Sequence, residues 1–144
     1  MTRLDFLSAW PHLSEIDVAW GEMDALGHIN NAQYFRYFET ARIEYLEQFN
    51  ITIPEGSQIG PILAYIDCQY LAPVVFPDTL LIGTQVSDIG NTSVKLTQSV
   101  YSTSQSRIVA ESKSVIVLVD YRSGGKIPIP DAIRTLLMQG RGNV

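Results

Sequence analysis

Residues 20–49 read WGEMDALGHINNAQYFRYFETARIEYLEQF. The first third is built from acids, glycines, a histidine and paired asparagines, and the rest repeats aromatic residues at helical spacing. Over residues 32–49, Phe35, Phe38, Ala41, Tyr45 and Phe49 recur three or four apart, and Tyr34 and Leu46 widen the stripe. Arg36, Glu39, Arg42 and Glu47 supply a partly polar side. This spacing predicts one helix with a broad covered face, about 25 Å long at ~1.5 Å per residue. Pro54 and Gly56 close the region. Asn30 or Asn31 is the expected N-cap, because a short polar side chain there satisfies free N–H groups of the first turn.

Around this helix the pattern is extended. EIDVAW (residues 15–20) alternates acid with apolar and predicts a first strand. Downstream, IGPILAYIDCQYLA (residues 59–72) is rich in β-branched and aromatic residues, and PVVFPD interrupts it with two prolines. TLLIGTQVSDI (residues 79–89) sets Leu80, Ile82, Thr84 and Val86 on one face. GNTS (residues 90–93) signals a tight turn. VKLTQSVYST (residues 94–103) has Val94, Leu96 and Val100 on its apolar face. RIVAESKSVIVLVDY (residues 107–121) predicts a long last strand whose VIVLV is apolar on both faces, as for a strand inside a sheet. RSGGK is a turn, and a short helix using Ile133, Leu136 and Leu137 is expected after Pro130. One long helix among about five antiparallel strands implies an α+β fold, with the helix held in the concavity of a curved sheet. Sheet edges left open favour self-pairing, so at least a homodimer is expected.

A chain of 144 residues with 46% hydrophobic and 17% charged residues fits a single domain spanning 1–144. A net charge of -5 and a pI near 4.8 argue against nucleic acid or an anionic membrane as the main partner. The one cysteine, Cys68, leaves no internal disulfide. Together with an N-terminus that lacks an apolar run of signal length, this makes the expected location cytoplasmic. VIVLV, the longest purely apolar run, is far short of the ~20 residues of a membrane span.

The motifs of common catalytic machineries are missing: no G-x-S-x-G, no G-x-x-x-x-G-K-[ST] and no G-x-G-x-x-G. Two histidines sixteen residues apart and one cysteine give no zinc spacing, so neither metal nor cofactor is expected. What remains is Asp24, in a glycine-flanked turn seven residues before Asn31 at the helix start. A helix N-terminus offers free N–H groups and a positive dipole end, which suits a carbonyl oxygen gaining negative charge. Asp24 could attack that carbonyl carbon or activate a water. One carboxylate suffices for a thioester, because a thiol with a pKa of ~8.5 leaves without an acid, and an aspartate in water, with a pKa of ~3.9, is already ionised. Plainer readings compete. An Asp in a Gly turn commonly serves the turn. His28 alone suits a hydrogen-bonded loop residue, Asn30 and Asn31 suit caps, and Cys68 suits a small buried hydrophobe.

VAWGEMDALGHINNAQYFRYFETARIEYL resembles the signature segment of the 4-hydroxybenzoyl-CoA thioesterase family, the hotdog-fold acyl-CoA thioesterases. GPILAYIDCQYLAPVVFPDTLLIGTQV and ESKSVIVLVDYRSGGKIPIPDAIR resemble its later strands and closing segment, so that the likeness covers about residues 14–135. The resemblance implies a hotdog fold and a hydrolase that cleaves an acyl thioester to free acid and CoA. It implies homodimers, or homotetramers built from them, with sites at the dimer interface. It carries the catalytic carboxylate onto Asp24 and the oxyanion-binding N–H onto Asn31, with His28 and Asn30 as site-lining residues. Gly60, Pro61, Ile62 and Leu63 of a second subunit would close the acyl pocket. In one respect the chain departs from some members: the turn DIGNTSV has no Lys or Arg to clamp CoA phosphates. Lys95, Arg107 and Lys113 are the alternative clamp candidates, and acyl-carrier protein is the alternative carrier. Within the same fold, an enoyl-thioester hydratase or dehydratase pairing Asp24 with His28, and a non-catalytic acyl-thioester-binding dimer, are the competing functions.

Overall fold

A computed structural model describes residues 1–49 and 58–140. Its elements are α1 (Arg3–Ala9), β1 (His12–Asp17), a single 3-10 turn (Trp20–Glu22), α2 (Gln33–Glu47), β2 (Ile59–Ile66), β3 (Gln69–Tyr70), β4 (Thr79–Ile89), β5 (Ser93–Ser102), β6 (Arg107–Asp120) and α3 (Asp131–Gln139). The strands form one antiparallel sheet in the order β1-β4-β5-β6-β2, with two-residue β3 also paired to β6. The sheet is curled, as expected for a hotdog fold.

The alternation read in the sequence sets the sheet faces. Leu80, Ile82, Thr84 and Val86 of β4 are all buried, as are Val94, Leu96 and Val100 of β5. Register places Val86 opposite Leu96 and Ile82 opposite Val100, so these residues share the face that meets α2. The opposite face is covered at one end by α1, whose Phe6 stacks on Tyr101 at 5.1 Å. Trp10 lies against Gly83 so closely that a Cβ there would stand 2.2 Å from the indole. The sequence reading missed α1, although its capping box is legible: Thr2 accepts from the N–H of Asp5, and Asp5 accepts from the N–H of Thr2.

Several boundaries and faces differ from expectation. The first strand lies at His12–Asp17 rather than residues 15–20, because Val18 turns away to bond Asp78 and Trp20–Glu22 winds into the 3-10 turn. The segment 59–72 is not one strand. β2 carries an irregularity between Leu63 and Tyr65, and Asp67 separates it from β3 by accepting from the Lys113 N–H. α2 is shorter than 32–49. Tyr37 belongs to its buried face, while Phe35 is 38% exposed. Tyr37 can be buried because its hydroxyl finds Glu22. Leu137 seals α3 against the second core cluster, whereas Leu136 is exposed. Pro54 and Gly56 lie outside the described residues.

The helix–sheet core is divided. Tyr34 and Phe38 pack with Val100, Val109 and Ala110 in one cluster, and Tyr45 and Leu46 pack with Leu96, Ile116 and Leu118 in another. Between them lies a polar belt. Gln98 donates to the Phe38 carbonyl and to Thr84 Oγ1, both at 3.1 Å. Ser112 and Ser114 on β6 are buried beside it. Arg42, expected on the polar side, is instead only 6% exposed. One helical turn after Phe38 and one before Leu46, it falls at the level of this belt. Its Nη1 finds no hydrogen-bond partner, and neither do Gln98 Oε1, Ser112 Oγ or Ser114 Oγ.

Candidate active site

The loop between β1 and α2 is fixed by its own backbone. Met23 and Ile29 form an antiparallel bridge. Inside it, the Asp24 N–H donates to the His28 carbonyl at 2.8 Å and the Gly27 N–H to the Asp24 carbonyl at 3.0 Å. Gly27 takes φ +80, a conformation costly for any residue with a Cβ. Asp24 Oδ1 accepts from the Leu26 N–H at 2.9 Å, an Asx turn that orients the carboxylate. Glu22 anchors the loop from below. Its carboxylate accepts from the Ala19 N–H at 2.7 Å and the Tyr37 hydroxyl at 2.9 Å, while its carbonyl accepts from the Asn30 N–H at 2.9 Å.

The helix start follows. Neither Asn30 nor Asn31 is the N-cap, which falls on Ala32; Asn30 instead closes the turn before it, its Oδ1 accepting from the Ala32 N–H and its carbonyl from the Gln33 N–H, both at 2.9 Å. Ala32, at the helix boundary, brings no side-chain cap. The Asn31 carbonyl accepts from the Tyr70 hydroxyl at 2.8 Å. Among the described residues no acceptor takes the Asn31 N–H.

Asp24, His28 and Asn31 line one cleft of about 460 Å³. Its other walls are Leu26, Ile29, Tyr34, Tyr70, Leu71, Ala72 and Pro73. Tyr34 and Tyr70 meet edge to face, with centroids 5.0 Å apart. Burial, reinforced by nearby Cys68, pushes both phenols up to about 12, so they stay neutral O–H groups. Burial also raises the Cys68 thiol, which argues against a thiolate nucleophile. Cys68 is half-buried against the first core cluster.

Of the expected site residues, Asn30 is occupied by the turn and does not border this cleft. Gly60, Pro61, Ile62 and Leu63 lie on β2, the sheet edge, and line no part of this chain's cleft. Ile62 and Leu63 are exposed. Lys95 and Lys113 meet in a groove of about 420 Å³ beside Tyr65. Register sets them on the sheet face turned away from α2. Arg107 stands apart at the start of β6. Sequence reasoning missed Tyr70 and the wall 71–73. Their only signal was that Tyr70 is one of two tyrosines, with Tyr65, in the segment read as strand. Among the described residues no group of three or more His, Cys, Asp or Glu side chains could hold a metal.

Asp24 and the residue that precedes α2, Asn31, thus border the same cleft, and comparison with known proteins gives the family. The Thioesterase-like superfamily model matches residues 18–137. The chain belongs to this superfamily. Within it, the chain is 25% identical over 127 residues to the long-chain acyl-CoA thioesterase FadM of Escherichia coli K12, covering 88% of this chain and 96% of FadM. It is 30% identical over 92 residues to YsmA of Bacillus subtilis strain 168, which spans 64% of this chain and only 62% of YsmA. A thioesterase from Thermus thermophilus, solved with coenzyme A and zinc, superposes with a TM-score of 0.77 at 28% identity, covering 88% of this chain and 96% of that one. No helix among the described residues is long and apolar enough to cross a membrane.

Proposed function

We propose that the protein is an acyl-CoA thioesterase with Asp24 as its catalytic carboxylate and the Asn31 N–H as its oxyanion donor. The observation that carries the reading is that the two line one cleft, Asp24 oriented by Leu26 and the Asn31 N–H uncommitted. The thioester carbonyl oxygen would accept from Asn31 at the positive end of α2. In one route Asp24 attacks the carbonyl carbon, CoA leaves as thiolate, and water hydrolyses the acyl–aspartyl anhydride. In the other, Asp24 takes a proton from the attacking water. Both give one acid and one thiol per thioester and water consumed.

The narrower likeness to 4-hydroxybenzoyl-CoA thioesterases enters through the cleft walls, where Tyr34 and Tyr70 offer aromatic surface to an acyl group. The working unit in this reading is a homodimer, single-domain in each chain and cytoplasmic. β2 ends the sheet with Ile62, Leu63 and Tyr65 exposed, and pairing with a second β2 would satisfy that edge. Gly60, Pro61, Ile62 and Leu63 of a second subunit would then close the acyl pocket. His28 in the same cleft favours enoyl-thioester hydration as the competing reaction. Free thiol and free acid released one to one from a panel of short, long and aromatic acyl-CoAs would support the thioesterase. Loss of enoyl absorbance at constant thiol would favour the hydratase instead.

A further inference from the structure

β3 and the segment after it hold the approach to α2 at two points. Val74 accepts from the Ile29 N–H and the Tyr70 hydroxyl donates to the Asn31 carbonyl, both at 2.8 Å. Between these points lies the stretch that carries the proposed oxyanion donor. The Asn31 carbonyl receives only a long 3.4 Å bond from the Tyr34 N–H within the helix. The first turn of a helix frays unless its groups are tied from outside. Tyr70 is such a tie, and it is itself anchored. β3 locks Gln69 and Tyr70 opposite Glu111 and Ala110, the Leu71 N–H bonds the Val109 carbonyl at 2.8 Å, and the Tyr70 ring meets Tyr34 edge to face.

We propose that Tyr70 is a positioning residue. By holding the Asn31 carbonyl from β3, it fixes the peptide units at the start of α2, so that the Asn31 N–H faces the reacting carbonyl oxygen. The inference rests on the thioesterase reading above. It predicts a particular kinetic signature. An oxyanion donor displaced by an ångström loses transition-state stabilisation while substrate binding is kept. Removing a donor outright typically costs ~10²–10³ in turnover, so loosening its mount costs a fraction of that.

The test is Tyr70→Phe beside wild type and Asp24→Asn, assayed by thiol release, with melting temperatures measured for all three. Phenylalanine keeps the ring wall and removes only the hydroxyl. Expected for Tyr70→Phe is a fall in kcat of about 5- to 50-fold with KM within about twofold and an unchanged melting temperature. Tyr70→Leu, which also removes the wall, should raise KM in addition. Full kcat in Tyr70→Phe, a loss confined to KM, or a loss explained by unfolding at the assay temperature would overturn the role of Tyr70. Full turnover in Asp24→Asn, or no thiol release by wild type, would sink the thioesterase reading itself and this inference with it.

Discussion

Glu22 ties down the loop that carries Asp24, and its contribution can be worked from the structure. Its carboxylate takes the Tyr37 hydroxyl at 2.9 Å and the Ala19 N–H at 2.7 Å. Tyr37 is 4% exposed, and burial first, then the bond to Glu22, raises its phenol. Glu22→Ala strands that buried hydroxyl, which costs about 1–3 kcal/mol. It also frees the N–H of exposed Ala19, which water can reach, adding about 0.5–1 kcal/mol. The expected total is about 1.5–4 kcal/mol, read in urea as a midpoint lowered by about 1–2 M for a typical m-value. Tyr37→Phe in the Glu22→Ala background should then restore about 1–2 kcal/mol, because donor and acceptor disappear together. The assay is a four-member double-mutant cycle by urea denaturation. If Tyr37→Phe destabilised both backgrounds equally, the two residues would be uncoupled and the anchoring role of Glu22 refuted.

Two further outcomes follow from buried charge. Arg42 lies in the polar belt with Nη1 unpartnered, and burial lowers its pKa against the opposing pull of Glu39. Replacing a buried, incompletely hydrogen-bonded charge with a packable apolar chain is often neutral or stabilising by about 1–4 kcal/mol, so Arg42→Met should melt at or above the wild-type temperature, and a loss above about 2 kcal/mol would show that the remaining interactions of the guanidinium outweigh its desolvation. The second concerns His12, whose Nδ1 lies 2.6 Å from Gln48 Nε2. Burial lowers its pKa from the usual 6.5, with Glu44 opposing. Over the interval below 6.5 the unfolded chain therefore binds more protons than the folded one. Stability rises with pH through that window, is full above it and is lost as pH falls. Melting temperatures between about pH 5 and pH 8 should fall more steeply on acidification for wild type than for His12→Gln, and parallel curves would refute the assignment.

The strands were legible where apolar residues alternate toward α2. β4 could be read residue by residue because Leu80, Ile82, Thr84 and Val86 all meet α2. Long-range partners were illegible. Tyr37 and Phe35 look alike in a helical stripe, and what separates them is Glu22, fifteen residues upstream. Arg42 reads as surface, and its burial depends on the sheet that α2 packs against, whose strands lie far along the chain. The break between β2 and β3 is set by Asp67 reaching the Lys113 N–H, again a distant contact. Asp24 and Asn31, the proposed site residues, were singled out through their local context, a Gly turn before a helix. Tyr70 was not, because the bond from its hydroxyl to the Asn31 carbonyl exists only after β3 pairs with β6.

The account stands most directly on Asp24. The decisive measurement is turnover of the best acyl-CoA substrate by wild type and Asp24→Asn under conditions where circular dichroism and melting show both to be folded. The account predicts thiol release by wild type and a loss of about a thousandfold or more in the variant, in line with removal of a catalytic carboxylate. Turnover retained within a few-fold would contradict it and return the Asp24 turn to a structural role.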